Sequence, residues 1–204
     1  MIGRLSAALA GGLALCVMAA PAQAAPEIGQ KAPAFTGKDA AGKTVSLSDY
    51  AGKTVVLEWT NHECPFVVKH YDSGNMQALQ KELTGKGAVW LTVVSSAPGK
   101  QGHVSAAKAN ELTKSRNAGP SGVILDEDGK IGMAYGATAT PQMVVITPTQ
   151  TVAYMGAIDS IPSAKQSDIP KADNYVRAAY DAVAAGKPVQ MAQTKAYGCS
   201  VKYQ

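Results

Sequence analysis

Short apolar runs alternate with mixed segments over most of the chain. Thr54–Trp59 (TVVLEW) and Ala88–Ser95 (AVWLTVVS) are β-rich and nearly continuous in apolar residues, the pattern of strands buried on both faces. Gly122–Leu125 predicts a third strand, followed by a turn at Asp126-Glu127-Asp128-Gly129. Met143–Thr147 and Val152–Met155 flank Pro148-Thr149-Gln150 and predict a hairpin. Lys43–Leu47 alternates and predicts a short edge strand.

Between these runs the period changes. Pro65–Leu83 supports a helix with Val67, Tyr71, Met76, Leu79 and Leu83 on one stripe. Pro65 suits its first position, Gly74 weakens and kinks it, and Gly85 and Gly87 end it. Val104–Arg116 predicts an exposed helix. Ala172–Ala185 predicts another, with Tyr175, Ala179 and Val183 in phase and Gly186 and Pro188 as its stop. Lys187–Gln204 is expected to be a tail with little regular structure. Strands alternating with helices predict an α/β sheet with right-handed crossovers.

The start of the chain breaks this picture. Arg4 is the only charge before Glu27, Leu5–Ala20 is apolar, and Ala22 and Ala24 frame an A-x-A-like exit. This is the pattern of a secretory signal peptide over residues 1–24, with an apolar part too short for a comfortable transmembrane helix. The protein is therefore expected to be exported, periplasmic if the source is Gram-negative, and to touch a membrane only through an uncleaved leader. The rest divides into a domain over 25–170 and a C-terminal helix and cysteine-containing tail over 171–204, packed on that domain.

Composition adds modest constraints. The 204 residues are 46% hydrophobic and 17% charged, enough for one sizeable core. Loss of Arg4 with the leader leaves 18 basic against 15 acidic residues, a net charge of +3. With no Lys/Arg-rich run, no nucleic-acid partner is expected. No G-x-S-x-G and no glycine-rich phosphate loop occurs.

Removing Cys16 with the leader leaves Cys64 and Cys199, and an even pair in an oxidising compartment invites a disulfide. Cys64 can be read as a nucleophile, half of a structural disulfide, a metal ligand, or a small buried hydrophobe. It immediately precedes a helix, whose free amides and dipole favour a thiolate. His62, Lys69 and His70 supply nearby donors or positive charge, and Glu63 opposes them. Glu58, a lone charge in an apolar strand, is either a buried proton carrier or an exposed or salt-bridged position. Cys64, His62, His70 and Met76 have the ligand types of a soft-metal site but lack a metal-binding frame, so no metal or cofactor is expected.

The stretch GQKAPAFTGKDAAGKTVSLSDYAGKTVVLEW resembles the opening of redoxins, the thioredoxin-fold group that includes AhpC/TSA peroxiredoxins and TlpA-like thiol-disulfide oxidoreductases. LDEDGKIGMAYGATATPQMVVI is similar to the redoxin D-x-x-G…Y-G…T-P run, and the resemblance covers roughly residues 28–160. Two departures stand out. Val67 occupies the slot of the second thiol of C-x-x-C, and Asn61 stands where peroxiredoxins carry threonine. The chain resembles an exported redoxin subgroup with W-T-N-x-x-C-P-[FY]-V-x-K-H-Y and G-C-S-V-K-Y segments.

The resemblance implies a thioredoxin fold: a central mixed sheet flanked by helices, with an N-terminal hairpin and a C-terminal tail. It implies Cys64 as nucleophile and a cis Pro141, after Thr140, facing it. His62, Lys69 and Glu58 are candidates for tuning the thiol. Cys199 is expected to resolve Cys64; a permanent Cys64–Cys199 clamp and a free Cys199 that pairs between chains are the alternatives. The expected partner is a thiol or disulfide protein, or a peroxide giving antioxidant activity. The rival is a non-catalytic binding or copper-handling module with a structural disulfide.

Overall fold

The computed structural model describes residues 25–204, so the expected leader lies outside the described residues. Nine strands, five α-helices and two short 3-10 helices are present among them. The strands are β1 (Thr36–Asp39), β2 (Thr44–Ser46), β3 (Val55–Trp59), β4 (Val89–Val94), β5 (Gly122–Leu125), β6 (Ala139–Thr140), β7 (Gln142–Ile146), β8 (Val152–Gly156) and β9 (Cys199–Ser200). The helices are α1 (Pro65–Asp72), α2 (Asn75–Gly85), α3 (Ala106–Ser115), α4 (Lys130–Ala134) and α5 (Tyr175–Ala184).

Seven strands form one mixed sheet in the order β2-β1-β5-β4-β3-β7-β8. The β3–β4 and β4–β5 pairs are parallel and the others antiparallel. Because side chains alternate along a strand, β3 feeds two cores. Val55, Leu57 and Trp59 pack with Leu91, Val93, Ile124, Val144 and Tyr135 on one face. Val56 packs with Trp90, Met143 and Val145 on the other, under α1, α2 and α5. This is the mixed sheet flanked by helices, a thioredoxin-type fold, that the resemblance implies.

Three local expectations change. The predicted helix over 65–83 is two helices, because Gly74 takes φ 76° and starts α2 rather than merely kinking one rod. Thr36–Asp39 is a strand that completes, with β2, the N-terminal hairpin the resemblance implies and joins it to β5; with Lys38 and Asp39 in it, its own residues carry no apolar alternation to announce it. Beyond the Asp126–Gly129 turn, α4 forms because Asp126 accepts from the amides of Ile131 and Gly132 at 3.0 and 2.8 Å.

The tail after α5 is more ordered than expected. Cys199–Ser200 pairs antiparallel with β6, Lys202 accepts from Ala97, and the Tyr203 hydroxyl donates to the Ala137 carbonyl at 2.7 Å.

Candidate functional site

The end of β3 sets the site. Asn61 turns the chain: its side chain accepts from the Glu63 amide at 2.9 Å and its carbonyl from the Cys64 amide at 3.0 Å. Cys64 is therefore the cap residue of α1, with Pro65 at the first helical position where no backbone donor is lost. Its side chain is fully buried.

Two other segments meet that sulfur. Cys64 Sγ donates to the Thr140 carbonyl at 3.1 Å, and the Thr140–Pro141 bond is cis, as the resemblance implies. From the tail, the Cys199 amide donates to Cys64 Sγ at 3.4 Å. Pairing of Thr140 opposite Cys199, with the Thr140 hydroxyl donating to the Cys199 carbonyl at 3.3 Å, fixes this approach. Gly198, at φ 129°, lies against the Thr140 carbonyl where a Cβ has no room. Four of the expected residues, Cys64, Thr140, Pro141 and Cys199, thus converge, and both cysteines are free thiols.

The two thiols are not equivalent. Burial pushes the Cys64 thiol up, but the Cys199 side chain, the amides of Val67 and Cys199, and Thr140 outweigh it and hold it below the ordinary cysteine value. Cys199 is pushed up to about 11 by burial first, then by its hydrogen bond to Cys64 and the charge that sulfur carries. The surroundings therefore favour the charged form more at Cys64 than at Cys199.

The three residues expected to tune the thiol lie elsewhere. Lys69 is buried and pairs with Asp159 at 3.3 Å. His62 lines a small cavity of about 40 Å³ with Arg116, Thr92 and Leu112, and burial holds its imidazole below the usual range. Glu58 is neither exposed nor salt-bridged. It is fully buried and accepts from Tyr71, Gln80, Trp90 and Thr92 at 2.8, 3.2, 2.8 and 3.1 Å, with no hydrogen bond to Cys64. Burial raises its carboxyl despite these donors. Its place follows from register: Glu58 lies opposite Thr92 and points to the same face as Val56.

The soft-metal set is not assembled. His70 faces Asp159 and Asn75, and His62 faces the Arg116 cavity. Among the described residues no group of three or more His, Cys, Asp or Glu side chains gathers as a metal site.

Asp159, Tyr197 and Arg116 are residues near the site that the sequence did not single out. A lone aspartate in GAIDSIP, a tyrosine in a polar tail and an arginine just past the end of α3 carry no local signal of their long-range contacts.

The profile of the AhpC/TSA family matches residues 28–155. The chain belongs to the AhpC/TSA family. Among solved structures it is similar to a hypothetical protein from Sinorhizobium meliloti 1021, with TM-score 0.74 and 22% identity, over 89% of this chain and 97% of that one. An uncharacterized conserved protein from Geobacillus kaustophilus gives 0.73 and 24%, over 87% and 93%. The pneumococcal exposed lipoprotein thioredoxin from Streptococcus pneumoniae gives 0.50 and 27%, over 68% and 96%. No curated protein matches the chain. The first two likenesses extend the shared fold beyond the AhpC/TSA segment into the C-terminal region.

Proposed function

We propose that this AhpC/TSA family member is an exported thiol–disulfide oxidoreductase, with Cys64 as nucleophile and Cys199 as resolving thiol. One observation carries the reading: the Cys199 amide rests on Cys64 Sγ at 3.4 Å while the donors around Cys64 make it the more acidic of the two. Val67 removes the usual partner within α1, and the tail supplies a thiol from the other side.

The Cys64 thiolate attacks one sulfur of a partner disulfide R–S–S–R. A Cys64–S–S–R bond forms and the first R–S⁻ leaves. Cys199 then gives up its proton, its sulfur bonds Cys64 Sγ, and the second R–S⁻ leaves. The partner disulfide is reduced to two thiols and the protein dithiol is oxidised to Cys64–Cys199. Run in reverse, the same steps oxidise a partner dithiol. Thr140 and Pro141 hold the backbone against the sulfur, and the high value at Cys199 keeps it protonated until Cys64 has become an electrophile.

Peroxide is the second reading, favoured by AhpC/TSA membership. The thiolate would attack a peroxide oxygen, giving Cys64 sulfenic acid and releasing water or an alcohol, and Cys199 would condense with it, releasing water.

Trapping tests both. Cys199→Ser should accumulate a Cys64 mixed disulfide with a thiol-labelled protein disulfide, while the intact protein turns over to a Cys64–Cys199 bridge seen by peptide mapping. Peroxide consumed without disulfide exchange would replace the first reading by the second. A bridge present but inert to both reagents, with a potential below about −300 mV, would mark a structural clamp.

A further inference from the structure

The geometry points to Tyr197 as the residue that positions Cys199 for the resolving step, through a carboxylate shared with the nucleophile's own helix. The inference rests on the dithiol reading above and concerns its second step.

Asp159, just after β8, ties the two halves of the site together. On one side its Oδ2 takes the buried Lys69 ammonium at 3.3 Å and faces His70 Nε2 at 3.7 Å, both on α1, the helix that Cys64 caps. On the other its Oδ1 accepts from the Tyr197 hydroxyl and from the Ile161 amide at 3.1 Å. The Lys69 ammonium also donates to the Ile161 carbonyl at 3.4 Å and lies 5.8 Å from the centre of the Tyr197 ring. The edge of that ring pair is completed by Phe66, one residue beyond Pro65, with centroids 5.7 Å apart. Tyr197 is thus held by Lys69 and Phe66 of α1 against its ring and, through its hydroxyl, by Asp159, which pairs with that helix.

Only Gly198 separates Tyr197 from Cys199, so the anchor lies within about 7 Å of extended chain from the resolving thiol. On the far side Cys199 is held by the two-residue β6–β9 ladder, a weak unit by itself, together with the Val201 amide on the Thr138 carbonyl at 3.1 Å, the Ala97 amide on the Lys202 carbonyl at 2.8 Å and the Tyr203 hydroxyl on the Ala137 carbonyl at 2.7 Å. Gly198 has no slack to absorb a shift, since it passes against the Thr140 carbonyl at a positive φ. Cys199 is therefore set between two anchors, and the one that ties its approach to the nucleophile's own helix is Tyr197. The buried Lys69–Asp159 pair is satisfied by the amide and carbonyl of Ile161 and by the Tyr197 hydroxyl, so the tail supplies one of the few partners that the pair has.

Tyr197→Phe keeps the ring and removes the hydroxyl. An aromatic disulfide that releases a coloured thiolate separates the steps: the first release reports attack by Cys64, the second reports resolution by Cys199. In Tyr197→Phe the second release should slow roughly tenfold or more, the scale for misplacing a reacting group, while the first is no slower. The equilibrium constant for forming the Cys64–Cys199 bridge in a glutathione buffer should fall in the same variant.

A second release at the intact protein's rate with an unchanged bridge equilibrium would overturn the assignment. So would a proportionate slowing of both steps together with a lowered melting temperature, since that is what a general scaffold residue gives. Release of only one thiolate by the intact protein would sink the dithiol reading itself, and this inference with it; that result is distinguishable because it needs no variant.

Discussion

The Cys199 amide donates to Cys64 Sγ across 135 residues of chain. The contact does two things at once. It gives the sulfur a donor that favours its charged form, and it covers the sulfur with the tail, so that the most acidic thiol of the site is also fully buried. Under the proposed exchange, a partner disulfide would meet Cys64 with the tail displaced, and the tail would return for resolution.

Displacing the tail should uncover the thiol. Gly198→Ala places a Cβ against the Thr140 carbonyl at a φ of 129°, where an L side chain is strained. The tail should lose about 1–3 kcal/mol of docking energy. Alkylation of Cys64 by iodoacetamide, followed by mass spectrometry, should then run faster than in the intact protein. Equal or slower labelling would show that the tail is not what shields the sulfur.

Cys199 should also set the acidity of Cys64. Cys199→Ala removes the side-chain hydrogen bond that lowers the Cys64 value while leaving the amide in place. The midpoint of Cys64 alkylation against pH should move up, toward that of an ordinary thiol. A midpoint that stays or falls would assign the acidity to α1 and its amides alone.

How much of this was legible follows contact range. The strands β3, β4 and β7 are short runs buried at every residue and β8 at all but Ala153, and burial on both faces writes itself into their composition. Cys64 could be placed at the start of α1 because Pro65 marks a first turn locally. Cys199 could be suspected only as a second cysteine, since its docking depends on pairing with Thr140 far away in sequence. Lys69 and His62 were close to Cys64 in number but not in contact: the geometry of a helix start turns His62 toward α3 and Lys69 toward Asp159. The fate of Glu58 rests on donors from α1, α2 and β4, none of which a local pattern reveals.

Glu58→Gln tests that fate. Trp90 and Gln80 donate to one carboxylate oxygen, Thr92 to the same one, and Tyr71 to the other. A glutamine offers a single acceptor oxygen and sets an amide against donors, so one or more buried groups lose their partner. Urea unfolding at neutral pH should show a loss of about 2–4 kcal/mol, and the first attack of Cys64 on a disulfide should be little changed. Intact stability with a large loss of that attack rate would instead make Glu58 a proton carrier for the thiol.

His70 should write a pH dependence into stability. Asn75 Nδ2 donates to its Nδ1 at 2.8 Å, so the neutral ring carries its proton on Nε2, facing Asp159 Oδ2 at 3.7 Å. Burial holds the imidazole down from 6.5 to about 4, with Asp159 opposing and Lys69 adding to the shift. The folded value is below the unfolded one, so between about pH 4 and 6.5 the unfolded chain binds the extra proton. Stability from this group is complete above about 6.5, falls as pH is lowered, and stops changing below about 4, a span worth about 3 kcal/mol. The check is the difference in unfolding free energy between the intact protein and His70→Asn, measured across that range. The variant has no proton to gain there, so the difference should shift against the intact protein as pH falls. A difference that is flat from pH 7 to pH 4 would mean that His70 titrates alike in both states and that Asp159, not burial, governs it.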